Sequence, residues 1–150
     1  MKKLTALKNY LIQLQVVTPE KLVAYPENNR IDIISKPGEK GLEISQVTYD
    51  AIFEMDQVKV SYTALVAIIS AWLAEQDTAR NNQAVGQPQF DYDPTDNHTA
   101  DIQLSIEFCE PVYLVETEHG PINYDHQRYD TGDYDLWVAE TGEVTDGSTR

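Results

Sequence analysis

The chain has one cysteine, almost no lysine beyond its first forty residues, no glycine-rich run and no long apolar stretch. Cys109 alone cannot close an internal disulfide, and there is no second cysteine for a thiolate metal site. Such a chain reads as one that folds in a reducing cytosol. Lys59 is the only lysine after residue 40. Residues 42–150 hold four bases against 21 acids, residues 1–41 hold seven bases against four acids, and the whole chain carries −14. A body this acidic repels phosphates, which excludes non-specific binding of DNA or RNA and of anionic membrane surfaces. No apolar run approaches the ~20 residues of a membrane span. Met1-Lys2-Lys3 is followed by Lys8, Asn9, Gln13 and Gln15 rather than by an apolar core, so no signal peptide is expected. The seven glycines are scattered, with neither GxGxxG nor GKS/T, so no phosphate-binding loop is expected.

What is present is enough for one domain of 150 residues with a genuine core. Leu4, Leu7, Leu11 and Leu14 make one apolar stripe and predict an amphipathic helix over residues 3–17, with Lys2, Lys3 and Lys8 on or near its polar side. Thr18-Pro19 ends it. Leu22–Tyr25 and Ile31–Ile34, separated by Pro26-Glu27-Asn28-Asn29, predict a hairpin. From Leu42 to Glu54 residues alternate, with a one-residue slip before Val47 that predicts a β-bulge. Tyr62, Leu65, Val66, Ile69, Trp72 and Leu73 predict a second helix over residues 57–76, its stripe read as core packing. Residues 77–89 read as a polar loop. Phe90–Asp93 is a short strand, and Ala100–Phe108 alternates as a half-buried antiparallel strand ended by Pro111. Val112–Val115 extends that strand or starts another. Beyond Glu116 come three tyrosines five apart and seven acids between Glu118 and Glu143, with Leu136–Ala139 the one strand-like run and a frayed end from Thr145.

The expected class is therefore α+β: a mainly antiparallel sheet with two helices packed on one face, in the order α-β-β-β-α-β-β. The expected division is a domain over residues 1–117 and an acidic, tyrosine-rich, partly irregular extension of the same domain over 118–150.

Candidate chemistry is sparse. Asp130-Thr131-Gly132 matches the aspartic-protease tripeptide, but its flanks are charged and catalysis needs two such aspartates, so it reads as turn chemistry. Asp91, Asp93 and Asp96 cluster beside Asn97 and His98, yet Pro94 and a missing glycine break a calcium-loop pattern. His98, His119 and His126 lack zinc spacing, and Cys109 reads as a small core residue. No catalytic, cofactor-binding or metal-binding residue is expected. The reading is a structural or binding protein rather than an enzyme. Two alternatives stay open: an acidic module that mimics nucleic acid, and a metal-dependent enzyme built on Asp91, Asp93, Asp101 and Glu107.

One resemblance sharpens this. A helix ends Ala71-Trp72-Leu73-Ala74-Glu75-Gln76, a polar loop leads to Phe90-Asp91-Tyr92-Asp93, and Asn97 to Ile106 then runs into Glu110-Pro111-Val112. This ordered set resembles the GpR family, the tail completion proteins of peduovirus-type contractile-tailed bacteriophages. The motifs cover residues 60–115, and the order of elements covers 1–140. The chain departs from the family pattern at Asp77-Thr78, where Gln-Pro is expected after Gln76, and after residue 125, where it is more acidic and richer in tyrosine. The resemblance implies a virion protein of the tail end or neck, assembled in the bacterial cytoplasm. It implies a tail terminator: a homo-oligomeric ring, of six subunits, that caps the tail tube and sheath and offers a surface to the head–tail connector. DNA would pass through without sequence-specific binding, and no membrane would be involved.

Overall fold

A computed structural model describes residues 1–38, 41–95 and 97–133. Two helices, α1 (Lys2–Gln13) and α2 (Tyr62–Gln76), pack on a six-stranded antiparallel sheet of β1 (Leu22–Gly38), β2 (Gly41–Val58), β3 (Gln89–Pro94), β4 (Ala100–Glu116), β5 (Ile122–Tyr124) and β6 (Gln127–Gly132). The strands lie in the order β1-β2-β4-β6-β5, and β3 pairs with β4 as well. The expected class and helix placement hold. Tyr49, Ala51, Phe53 and Met55 of β2 share one face with Ala100, Ile102, Leu104, Ile106 and Phe108 of β4. Leu4, Leu7 and Leu11 of α1 and Leu65, Ile69, Trp72 and Leu73 of α2 close over that face. Phe108 sits at the centre, its ring 6.0 Å from Tyr49 and 6.3 Å from Trp72.

The strand order differs from expectation at two places: β5 and β6 form after Glu116, where no strand was expected before Leu136, and the early hairpin is absent. Leu22–Tyr25 and Ile31–Ile34 are not two strands of a hairpin but one strand, interrupted by a bulge between Glu27 and Arg30. Asn28 takes the left-handed conformation there (φ 52°), so the turn-forming residues kink the strand without reversing it. The reversal comes later, between Gly38 and Gly41. Gly41 is required: its φ is 114°, and a Cβ there would lie 2.4 Å from the Leu114 carbonyl oxygen. The slip expected before Val47 is real, a register break between Glu43 and Ser45. Left-handed Ser35 and Gln57 mark two further breaks. Repeated bulges coil the long β1–β2 arm, and the coil brings Ser35 of β1 into hydrogen-bond contact with Tyr124 of β5, at opposite ends of the strand order.

Both helices are shorter than the sequence predicts. α1 stops at Gln13 because Gln15 is left-handed (φ 60°). The Val16 amide donates to the Leu11 carbonyl and the Gln15 amide to that of Ile12, which is a Schellman cap. Leu14 is thereby left exposed, while Val16 and Val17 turn into the core. α2 begins only after Ser61, whose hydroxyl accepts from the Ala64 amide as an N-cap. β4 runs straight through Pro111 to Glu116. Pro111 pairs with Gln46 of β2, and on the outer edge it falls between β3, which covers 100–105, and β6, which covers 113–116, so among the described residues it has a strand on one side only. The loop at 77–89 contains a 3₁₀ turn, Thr78–Asn82. The strand expected at Leu136–Ala139 and the frayed end from Thr145 lie outside the described residues.

Candidate assembly surface

The open stretch of β4, between its partners β3 and β6, is where the chain concentrates buried charge. Glu110 follows Phe108 on the core face, and its carboxylate meets the start of α1. It accepts from the Lys2 amide (3.0 Å) and the Lys3 amide (3.1 Å). Tyr49 donates its phenol to the same carboxylate and accepts from the Leu4 amide at 3.4 Å. α1 has no side-chain cap of its own, so these two strand residues satisfy its first free N–H groups. The positive end of the helix dipole suits the carboxylate. Burial, then the hydrogen bond to Glu110, pushes the Tyr49 phenol far above its usual pKa.

Lys3 completes the arrangement. It was expected on or near the polar side of its helix, and the structure buries it instead. Its ammonium donates to the Cys109 carbonyl (2.8 Å) and pairs with buried Asp77 (2.7 Å), which also pairs with Arg80 (2.7 Å). Arg80 reaches on to the carbonyl of Gly86 at 2.9 Å. Two cations and two carboxylates thus neutralise one another beside the stretch of β4 that no described strand covers on its outer edge. Isolated charges could not be buried there without such pairing. Each carboxylate in the group is held by more than one donor, so the cluster braces the start of α1 against the sheet.

The acids weighed as a metal site do not converge. Asp91 and Asp93 face Gln103 and Asp101 in the β3–β4 register. Asp101 accepts from the Gln57 amide at 3.0 Å. Glu107, six residues further along β4, pairs with Arg30 and accepts from the Gly86 amide. Asp96 lies outside the described residues. Among the described residues no three His, Cys, Asp or Glu side chains could hold one metal ion. Asp130-Thr131-Gly132 is not a turn but part of β6, paired with Tyr113–Val115. A Cβ on Gly132 would meet Val115 Cγ2 at 2.4 Å, so the glycine serves close strand packing. Cys109 is buried, as expected.

Two surfaces remain as features of recognition. One is the outer edge of β1, a strand of 17 residues that among the described residues is paired on one side only, with Ile31 and Ile33 65% and 78% exposed. The other is a cleft of about 270 Å³ between this arm and the start of α1, lined by Met1, Lys2, Val47, Val112, Gly132 and Asp133 among others. No helix among the described residues is long and apolar enough to cross a membrane.

Fold and surface together define a small α+β domain with a braced core and open sheet edges. The comparisons with known proteins make the class specific. Residues 1–132 match the family model of P2 phage tail completion protein R (GpR), and the chain belongs to that family of phage structural tail proteins. It is also 28% identical over 109 residues to an uncharacterized 19.2 kDa protein of the rep-hol intergenic region of Haemophilus phage HP1 (strain HP1c1). That match spans 71% of this chain and 66% of the phage protein, so the chain accounts for just under two-thirds of its relative's length. No solved structure matches.

Proposed function

We propose that this protein terminates a phage tail: copies of it form a ring, of six subunits, at the head-proximal end, close the tail tube and sheath, and present a surface to the head–tail connector. Its place is the virion neck, after assembly in the host cytoplasm, and it acts without catalysis. The observation that carries this reading is the family match over residues 1–132. Two features support it. A closed ring needs a heterologous interface, with two different patches on each subunit, and an antiparallel sheet with β1 at one end of its order and β5 at the other offers two different edges away from the Ser35–Tyr124 contact. The charge of −14 suits a channel wall, since acidic groups repel passing phosphates and give DNA no place to stick. Residues 1–117 form the terminator-like domain and 118–150 its acidic extension. The pairing of β6 with β4 supports treating the extension as part of the same domain.

Electron microscopy of particles made without this protein tests the reading. Overlong or headless tails are expected, with joining to heads restored when the purified protein is added. Tails of normal length that join heads unaided would overturn it.

A further inference from the structure

The sheet forks at β4. Its distal half continues through β6 to β5, where Tyr124 meets Ser35 of β1. Its proximal half ends in β3, so the order there is β1-β2-β4-β3. One row across that half runs Leu22, Met55, Ile102, Tyr92, and the next runs Val23, Glu54, Gln103, Asp91. Among the described residues β1 and β3 are each paired on one side only, at opposite ends of these rows. Every pairing between them is antiparallel, so β1 and β3 run in opposite directions. Laid edge to edge, β3 of one copy and β1 of the next are therefore antiparallel, and the contact joins two different patches.

The two edges match in length, charge and exposure. Residues 22–25 share rows with residues 92–89. Pro26 and Pro88 follow at one end and Pro94 lies beyond the other, and proline cannot donate to a ladder. Asp93 faces Asp101 across β3 and β4, and like charges directly opposite are destabilising. Asp93 pairs with no cation among the described residues. Lys21 stands one residue outside the Leu22 row, as Asp93 does at the other edge. Its ammonium donates to Gln57 and pairs with no acid among the described residues. Val23 is 54% exposed and Tyr92 38%. Tyr62 of α2 sets its ring 5.2 Å from that of Tyr92 and 5.9 Å from that of Phe90, which steadies the β3 edge.

We propose that β3 of one copy pairs with the start of β1 of the next, Tyr92 opposite Leu22, so that one sheet continues from subunit to subunit. Lys21 of one copy then comes opposite Asp93 of the other and relieves the Asp93–Asp101 repulsion. The prolines confine the pairing to a short register. Pairing β3 with β3 would instead set Asp91 and Asp93 against acids of the same kind. This contact rests on the ring proposed above and supplies its interface.

Disulfide trapping in the full chain tests it. Residues opposite one another in an antiparallel pair have Cα atoms about 4.5–5.5 Å apart, within disulfide reach. Within one chain Val23 and Asp91 are three strand spacings apart, about 14 Å, so they cannot bridge internally. Both positions are exposed, and the natural Cys109 is buried, so the unaltered chain is the control. Oxidation of the chain carrying Val23→Cys and Asp91→Cys with copper phenanthroline should give a ladder of covalent oligomers. A mixture of the two single variants should stop at dimers. Should that chain fail to fold, Lys21→Cys with Asp93→Cys should give the same ladder. Val23→Cys trapping itself as readily, the sign of two β1 edges meeting, would overturn the pairing. Oligomers seen by sedimentation that neither pair traps would overturn it too, and would leave the ring standing on another interface. A chain that stays monomeric at every concentration also overturns it, while electron microscopy of tail ends still shows whether a ring is built there.

Discussion

Tyr49 carries more of this fold than its single hydroxyl implies. It packs on Phe108, donates to Glu110 and accepts from the first turn of α1. Because its folded pKa is raised, the phenol stays protonated after its unfolded counterpart begins to ionise near pH 10. Its contribution is fully present below pH 10 and is lost as pH rises toward the folded value. One proton of difference makes the slope about 1.4 kcal/mol per pH unit. Urea titrations from pH 9 to 11.5 should show the natural chain losing stability more steeply above pH 10 than Tyr49→Phe, by about that slope. Equal slopes would show that the phenol ionises without consequence. The residues of this brace were partly legible. Lys3 lies four residues before Leu7 and eight before Leu11, on their stripe, and Glu110 falls two residues after Phe108, on the parity of the apolar face. Each alone looks like a surface charge at the end of an element. Only their meeting, more than a hundred residues apart in sequence, makes them core. Asp77 stood out only as a departure from a family pattern, and its partners explain why an acid occupies that position here.

At the scale of elements, periodicity named both helices and the strands β2, β3 and β4, but β5 and β6 are too short and too polar to show an apolar alternation, and element ends were harder. The alternation in β2 and β4 identified the buried faces correctly, because one face meets helices and the other meets water. The bulge at Asn28 was misread as a turn, since both use the same left-handed polar residues and only pairing with β2 tells them apart. The end of α1 shows the same limit: Leu14 keeps the helical spacing, yet the backbone leaves the helix at Gln15. A glutamine is not suited to that left-handed position, and glycine is. Gln15 is exposed, so little packing is at stake. Gln15→Gly should raise stability by about 0.5–1 kcal/mol in denaturant unfolding. A loss would show that the glutamine side chain holds the cap.

The sheet order was the least legible feature of the whole molecule, because β1-β2-β4-β6-β5 depends on contacts that no local pattern encodes. Net charge, by contrast, is read directly. At −14 the folded chain repels itself more than the expanded chain does, outside the neutral brace around Lys3 and Asp77. Salt shortens the reach of that repulsion to about 3 Å at 1 M. Thermal unfolding should therefore move upward between low and high sodium chloride, whereas a chain held mainly by surface ion pairs would move down. A fall in the unfolding temperature would assign the acids to pairing rather than to repulsion.

The brace also fixes an order of events during synthesis. The amides of Lys2 and Lys3 wait for a carboxylate 108 and 107 residues downstream. At about 5–20 residues per second, α1 leaves the ribosome roughly 5–20 s before the strand that caps it. Its twelve residues are too few to hold a helix alone in water. Folding of this domain is thus a late, concerted closure around β4, governed by contacts of long sequence separation rather than by growth from the first helix.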